Sequence, residues 1–198
     1  DWNIPAAAHA LERAIKLNPT YVPARYWRAS VVVGCNRPHD SVAIDEEAVR
    51  IEPLSLFANA HLGWMLLGAG RAEDAARRLE HLLELDPRLL IGHWLLGQAY
   101  VALGRNVEGL AELRTAVELS GNLAWMVATL GCALAHIGRT DEARAVLADL
   151  ERRAEKEYVR AFLFAMLHAY LGEEDRMLVW LEKAREERDL ALPYTDMV

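Results

Sequence analysis

Cysteine is nearly absent: Cys35 and Cys132 are the only two thiols in 198 residues. Far apart in sequence, they offer neither a disulfide framework nor a metal quartet, and they favour a reducing compartment, the cytoplasm. Positive charge is also short. Lys and Arg number 22 against 29 Asp and Glu, a net charge of −7, so no basic stripe is expected to grip nucleic acid directly. Long uncharged runs are rare. One of them, Leu119–Gly138, lacks Asp, Glu, Lys and Arg over the length a membrane span requires. It includes Ser120, Gly121, Asn122, Thr129 and His136, and is read as a buried helix rather than a span. Apolar residues nowhere alternate at period two, so no strand is expected. Asp1 stands where an initiator Met is usual; the expectation is an excised domain or a processed product, with no leader to be read.

The motifs of chemistry are missing too. No phosphate loop, nucleophile elbow or HExxH helix occurs. His61, His93, His136 and His168 have no second ligand at helical spacing, so no metal and no cofactor are expected. Cys132 has no base placed beside it in sequence. The chain is expected not to be an enzyme.

What the chain does have is a period. Gly63, Gly97 and Gly131 stand 34 residues apart, with Ala29 and Ala165 one step to either side. Glycine inside a helix costs roughly 0.5–1 kcal/mol relative to alanine, so its recurrence calls for a compensating gain. Close approach of a neighbouring helix supplies one. Pro19, Pro53 and Pro87 keep the same step, which next lands on Gly121; each ends a helix. Gly70, Gly104, Gly138 and Gly172 keep it again, preceded by Asn36. Gly and Asn accept the left-handed conformation that closes a helix. Asn106 and Thr140 are expected to cap the helices that follow.

This period predicts a leading helix at 6–17, then helix pairs at about 22–52, 56–86, 90–120, 124–154 and 158–187, with a tail at 188–198, all in one domain. The fold class is all-α.

The spacing resembles the tetratricopeptide repeat. One unit reads Leu62-Gly63, Leu66, Ala75, Leu79, Leu82, Pro87. The next reads Leu96-Gly97, Tyr100, Gly109, Leu113, Ala116, and a third Leu130-Gly131, Leu134, Ala143, Leu147, Leu150. A looser copy follows at Phe164-Ala165, His168, Met177, Leu181, Ala184. The first pair departs, with Arg28 and Asp45 where large apolar residues are usual, and Gly109 replaces a small alanine. The resemblance implies a right-handed α-α solenoid whose first helices line a concave face. The closing run Trp180–Asp189 is similar to the end of repeat arrays fused to bacterial winged-helix regulators, nucleotide cyclases or Ser/Thr kinases.

Carried over position by position, the concave face would present Tyr26, Trp27 and Ser30, then Phe57, His61 and Trp64. Trp94, Gln98, Trp125, Thr129, Cys132, Phe162 and Met166 continue it. Chaperone-tail clamps of this family use Lys, Arg and Asn here, so no such clamp is expected. Two readings stand for the aromatic stripe. The rings pack between adjacent repeats, or they anchor a peptide or protein partner in an apolar groove. A third occupant is the tail Leu190–Tyr194 or a second copy of the chain. The main expectation is a non-catalytic interaction scaffold; the alternative is a sensory or self-associating domain of a larger bacterial regulator.

Overall fold

The computed structural model of the protein describes residues 3–33 and 38–189. Cys35, Asn36 and Leu190–Tyr194, each given a role above, lie outside them. Among the described residues there are eleven α-helices and no strand. They are α1 (Ile4–Leu17), α2 (Val22–Val33), α3 (Pro38–Ile51), α4 (Leu56–Gly68), α5 (Ala72–Leu85), α6 (Leu90–Ala102), α7 (Asn106–Leu119), α8 (Ala124–His136), α9 (Thr140–Ala154), α10 (Ala161–Tyr170) and α11 (Glu174–Glu186). The fold is an all-α array of helix hairpins of the solenoid class. The chain divides into two compact units, Asp1–Leu95 and Leu96–Asp196, so α6 begins in one and ends in the other.

Short turns close the hairpins. Gly70, Gly104, Gly138 and Gly172 all sit at φ between +72° and +82°, where an L side chain is strained. The caps differ from expectation. Asn106 and Thr140 are the first residues inside their helices, and the capping positions belong to Arg71, Arg105 and Arg139. None of these arginines caps with its side chain. Each instead reaches the acid three residues on: Arg71 Nε donates to Asp74 at 2.7 Å, and Arg105 and Arg139 meet Glu108 and Glu142 likewise. An acid in the first turn also suits the positive end of the helix dipole. Helix α10 starts at Ala161 rather than near 158, because Arg160 at ψ 132° keeps the backbone extended up to that point.

First and second helices differ in charge. Helices α4, α6, α8 and α10 contain no Asp, Glu, Lys or Arg, as suits helices packed on several sides. In α5 the apolar residues Ala75, Leu79 and Leu82 are buried while Arg77, His81 and Glu84 face water. Among the described residues no helix is long and apolar enough to cross a membrane.

The recurring glycines sit at helix crossings. A Cβ on Gly63 would lie 2.9 Å from the tip of Leu79, and one on Gly131 would lie 2.7 Å from Val146 and from Leu167. At Gly97 the neighbour is backbone: the Gly109 carbonyl oxygen would be 2.9 Å away. Gly109 reciprocates, its own would-be Cβ falling 2.8 Å from the Gly97 oxygen. The missing alanine at 109 is therefore half of a backbone-to-backbone contact between α6 and α7.

In the second unit one apolar cluster joins Val127, Leu147 and Leu150 to Leu163, Phe164, Leu167 and Ala184. Trp180 stacks on Phe164 with ring centroids 4.3 Å apart. Beside it His168, buried, shares a hydrogen bond with Glu173 (Nδ1 to Oε2, 2.7 Å), and Arg144 meets the other oxygen at 2.6 Å. The His168 bond, then Arg144, holds the Glu173 carboxyl below the usual range.

Two outcomes are expected. Alanine normally strengthens a helix by up to about 1 kcal/mol over glycine. Gly97→Ala should instead destabilise by on the order of 1–3 kcal/mol, since backbone blocks the new methyl. Gly63→Ala, meeting only a leucine tip, should cost less, and thermal melts of both variants check the order. Glu173 binds its proton more weakly folded than unfolded, so its contribution stands at neutral pH and is lost as pH falls through the depressed value. Glu173→Gln should flatten the acid side of a melting-temperature profile, below about pH 4.5.

Candidate functional site

Trp27 and Phe57 are the most open of the expected face residues, at 57% and 49% exposure. They belong to an aromatic shelf in the first unit built on α2 and α4. Tyr26 lies at its centre, 5.8 Å from Trp27 and 4.5 Å from Phe57, centroid to centroid. Behind these rings sits His61, stacked on Phe57 at 6.0 Å and edge-on to Trp64 at 5.6 Å. Tyr26 and Trp64 are half-buried, and Tyr21 flanks the shelf with half its surface open. Desolvation raises the Tyr26 phenol above its ordinary value, with Tyr21 and Glu52 adding to it.

Below the shelf is a buried polar line that the sequence did not announce as a unit. Ser30 Oγ is 2.9 Å from His61 Nε2, and His61 Nδ1 is 2.5 Å from Asp45 Oδ2. Serine, histidine and aspartate are 3%, 6% and 1% exposed. The order is that of a hydrolase triad, so the expectation that no nucleophile, base and acid come together is corrected in geometry. The proton directions decide its chemistry. Ser30 Oγ donates to the Tyr26 carbonyl oxygen at 3.1 Å, one turn back on its own helix. Its lone pair therefore faces His61, and Nε2 must donate to it. A base in that state cannot take the serine proton. The remaining proton is shared between Nδ1 and Asp45, whose carboxyl is pushed up by burial and pulled back down by His61. The line joins α2, α3 and α4 and serves as a clasp. Asp45 at an apolar position was the signal in the sequence: a buried carboxyl requires a partner. Arg28, the other departure, is half-buried and donates to Glu12 of α1 at 3.0 Å.

The expected face residues from α6 onward lie deeper. Thr129, Cys132, Phe162 and Met166 are buried, as His61 is in the first unit, while Trp94, Gln98 and Trp125 are half-buried. Thr129 Oγ1 donates to the Trp125 carbonyl oxygen at 2.9 Å. Burial pushes the Cys132 thiol far up, opposite to what a nucleophile needs. Trp125 stacks on Phe162 at 6.2 Å, and the Arg160 guanidinium lies 5.2 Å over its ring. An apolar cavity of about 460 Å³ opens beside Phe162 and Met166, with His136, Tyr170, Met177 and Leu181 on its other walls.

Removing one member of the clasp leaves the others buried without partners. Asp45→Ala should cost about 3 kcal/mol or more, whereas replacing Asp45 and His61 together by leucine should recover most of it. Urea unfolding of the single and double variants measures both.

A tetratricopeptide repeat model matches residues 62–124. No curated protein sequence matches the chain. Among solved structures, the chain is similar to YrrB, a tetratricopeptide protein with an unusual peptide-binding site. Identity is 22%, TM-score 0.55, and the match covers 94% of this chain and 96% of that one. TTC0263, a thermophilic tetratricopeptide protein of Thermus thermophilus, is 24% identical with TM-score 0.64, covering 85% and 94%. PilW, a type IV pilus biogenesis factor, is 18% identical with TM-score 0.70, covering 97% and 89%. With the same hairpin, the same period and the left-handed turn glycines in place, the chain belongs to the tetratricopeptide repeat family.

Proposed function

We propose that the protein is a non-catalytic interaction scaffold whose first helices dock an apolar segment of a protein partner. The aromatic shelf of the first unit carries this reading. Tyr26, Trp27 and Phe57 expose contiguous rings on a helix pair with no lysine or arginine stacked over them among the described contacts. Exposed aromatic clusters of this kind act as binding anchors. His61 and Trp64 support the rings from behind. In the second unit the contact residues are Trp125 and Phe162, with Trp94 and Gln98 on α6; Thr129, Cys132 and Met166 form the layer beneath. YrrB, of the same fold, is a protein with a peptide-binding site, which agrees with this assignment.

The partner is a protein or peptide, not nucleic acid, given the net charge of −7. A cytoplasmic setting suits Cys132, a buried free thiol. The alternative, a self-associating domain of a larger bacterial regulator, finds its support in Leu178 and Val179 of α11, which are 59% and 69% exposed. Sedimentation at rising concentration separates the two.

A peptide-library screen read by tryptophan fluorescence tests the main reading. Trp27→Ala combined with Phe57→Ala should weaken the selected peptide by at least ~30-fold, the loss of one strong hot spot. The melting temperature should hardly change, since both rings are open. Unchanged affinity in the double variant would place the partner elsewhere.

A further inference from the structure

The cavity beside Phe162 and Met166 has a natural occupant in the chain itself. Asp189, the last described residue, is buried and fixed in place: Arg160 Nε donates to its Oδ2 at 3.1 Å, and Nη2 meets Oδ1. Arg160 is the residue that precedes α10. The segment that follows Asp189 therefore departs two residues from Phe162, at one end of the cavity. From there the cavity runs along α10 by Met166 to Tyr170, with Met177 and Leu181 of α11 as the facing wall. Phe162 to Tyr170 spans about 12 Å of helix, and nine residues reach up to about 30 Å. Those nine, Leu190–Val198, read LALPYTDMV and carry one charged side chain, Asp196.

The same surface one repeat earlier is already filled by following chain. Ala128, Cys132 and Leu147 stand 34 residues before Phe162, Met166 and Leu181. They are buried in one cluster with Leu163, Phe164 and Leu167 of α10, the next first helix. Leu192-Pro193, moreover, falls a whole number of 34-residue steps after Val22-Pro23, the pair that opens α2.

We propose that the segment Leu190–Val198 folds back into this cavity, with Leu192 and Tyr194 as its apolar anchors. The segment then covers Phe162 and Met166 and must be displaced by any partner that uses them. That competition rests on the partner-docking reading above; the docking of the segment does not.

Methyl NMR of the full chain with labelled methionines tests the docking without any partner. Met166 and Met177 line the cavity, while Met65 is wholly buried in the first unit and serves as the control. Tyr194→Ala and Leu192→Asp each change a residue outside the described helices. Each should shift the Met166 and Met177 methyl signals and leave Met65 in place, and the unaltered chain should show contacts from the Tyr194 ring to those two methyls. If neither substitution moves them, the segment does not occupy the cavity. If they move with protein concentration instead, a second copy occupies it, and the proposal is equally wrong. A null peptide screen alongside shifted methyls would remove the partner reading and keep this one.

Discussion

The closeness of helices at one small residue per hairpin governs the rest. Where Gly97 faces Gly109, each carbonyl oxygen occupies the space a methyl would need, so α6 and α7 can meet in only one register. Gly63 and Gly131 impose the same condition through Leu79 and Val146. Side chains on either side of such a crossing then have fixed neighbours, and each repeat inherits the environment of the one before. Core packing tolerates little change in volume, which is why the period stays at 34 residues while most of the residues between the crossings vary.

A fixed crossing also sorts the charges. First helices, enclosed by neighbours, lose their charged residues from α4 onward, and second helices take them. The arginine at each turn keeps its acid within three residues, so these pairs are local, exposed and individually worth only a few tenths of a kcal/mol. Their effect is on solubility and helix starts rather than on the core. Where the first helices do reach solvent, they can present only apolar and aromatic surface. The open rings of Trp27 and Phe57 follow from that sorting.

The fold was legible because its signals are backbone signals. Turn glycines, helix-ending prolines and crossing glycines each report a conformation or a contact that few other residues accept. The site was legible only as a direction. Helical spacing tells which residues share a face, and it placed Tyr26, Trp27, Phe57 and His61 together. It does not tell how deep that face lies, so Trp27 at the surface and His61 below it looked alike. Depth depends on the neighbouring helix: Phe162 is covered by Trp125, and no property of either residue alone says so. The caps failed for a related reason. Asn106 and Thr140 are good capping residues, but the left-handed glycine two places earlier makes the intervening arginine the first residue to turn inward.

The polar clasp shows why residue identity and even distance underdetermine chemistry. Ser30, His61 and Asp45 have the separations of a catalytic triad, yet the serine sits in the middle of a helix whose own carbonyl takes its proton. The amides around it are engaged in the same helix, so no pair of donors is aimed at a developing oxyanion. In the hydrolases the nucleophile stands on a strained turn, which frees both the hydroxyl and the adjacent amides. Placing the same three side chains on regular helices removes both. What remains is a hydrogen-bonded bolt between three helices, in the one hairpin where Arg28 and Asp45 took positions that apolar residues hold elsewhere. It does there what leucine contacts do in the later repeats, and it keeps an imidazole at the back of the aromatic shelf, where the ring fixes the tilt of Tyr26 and Phe57.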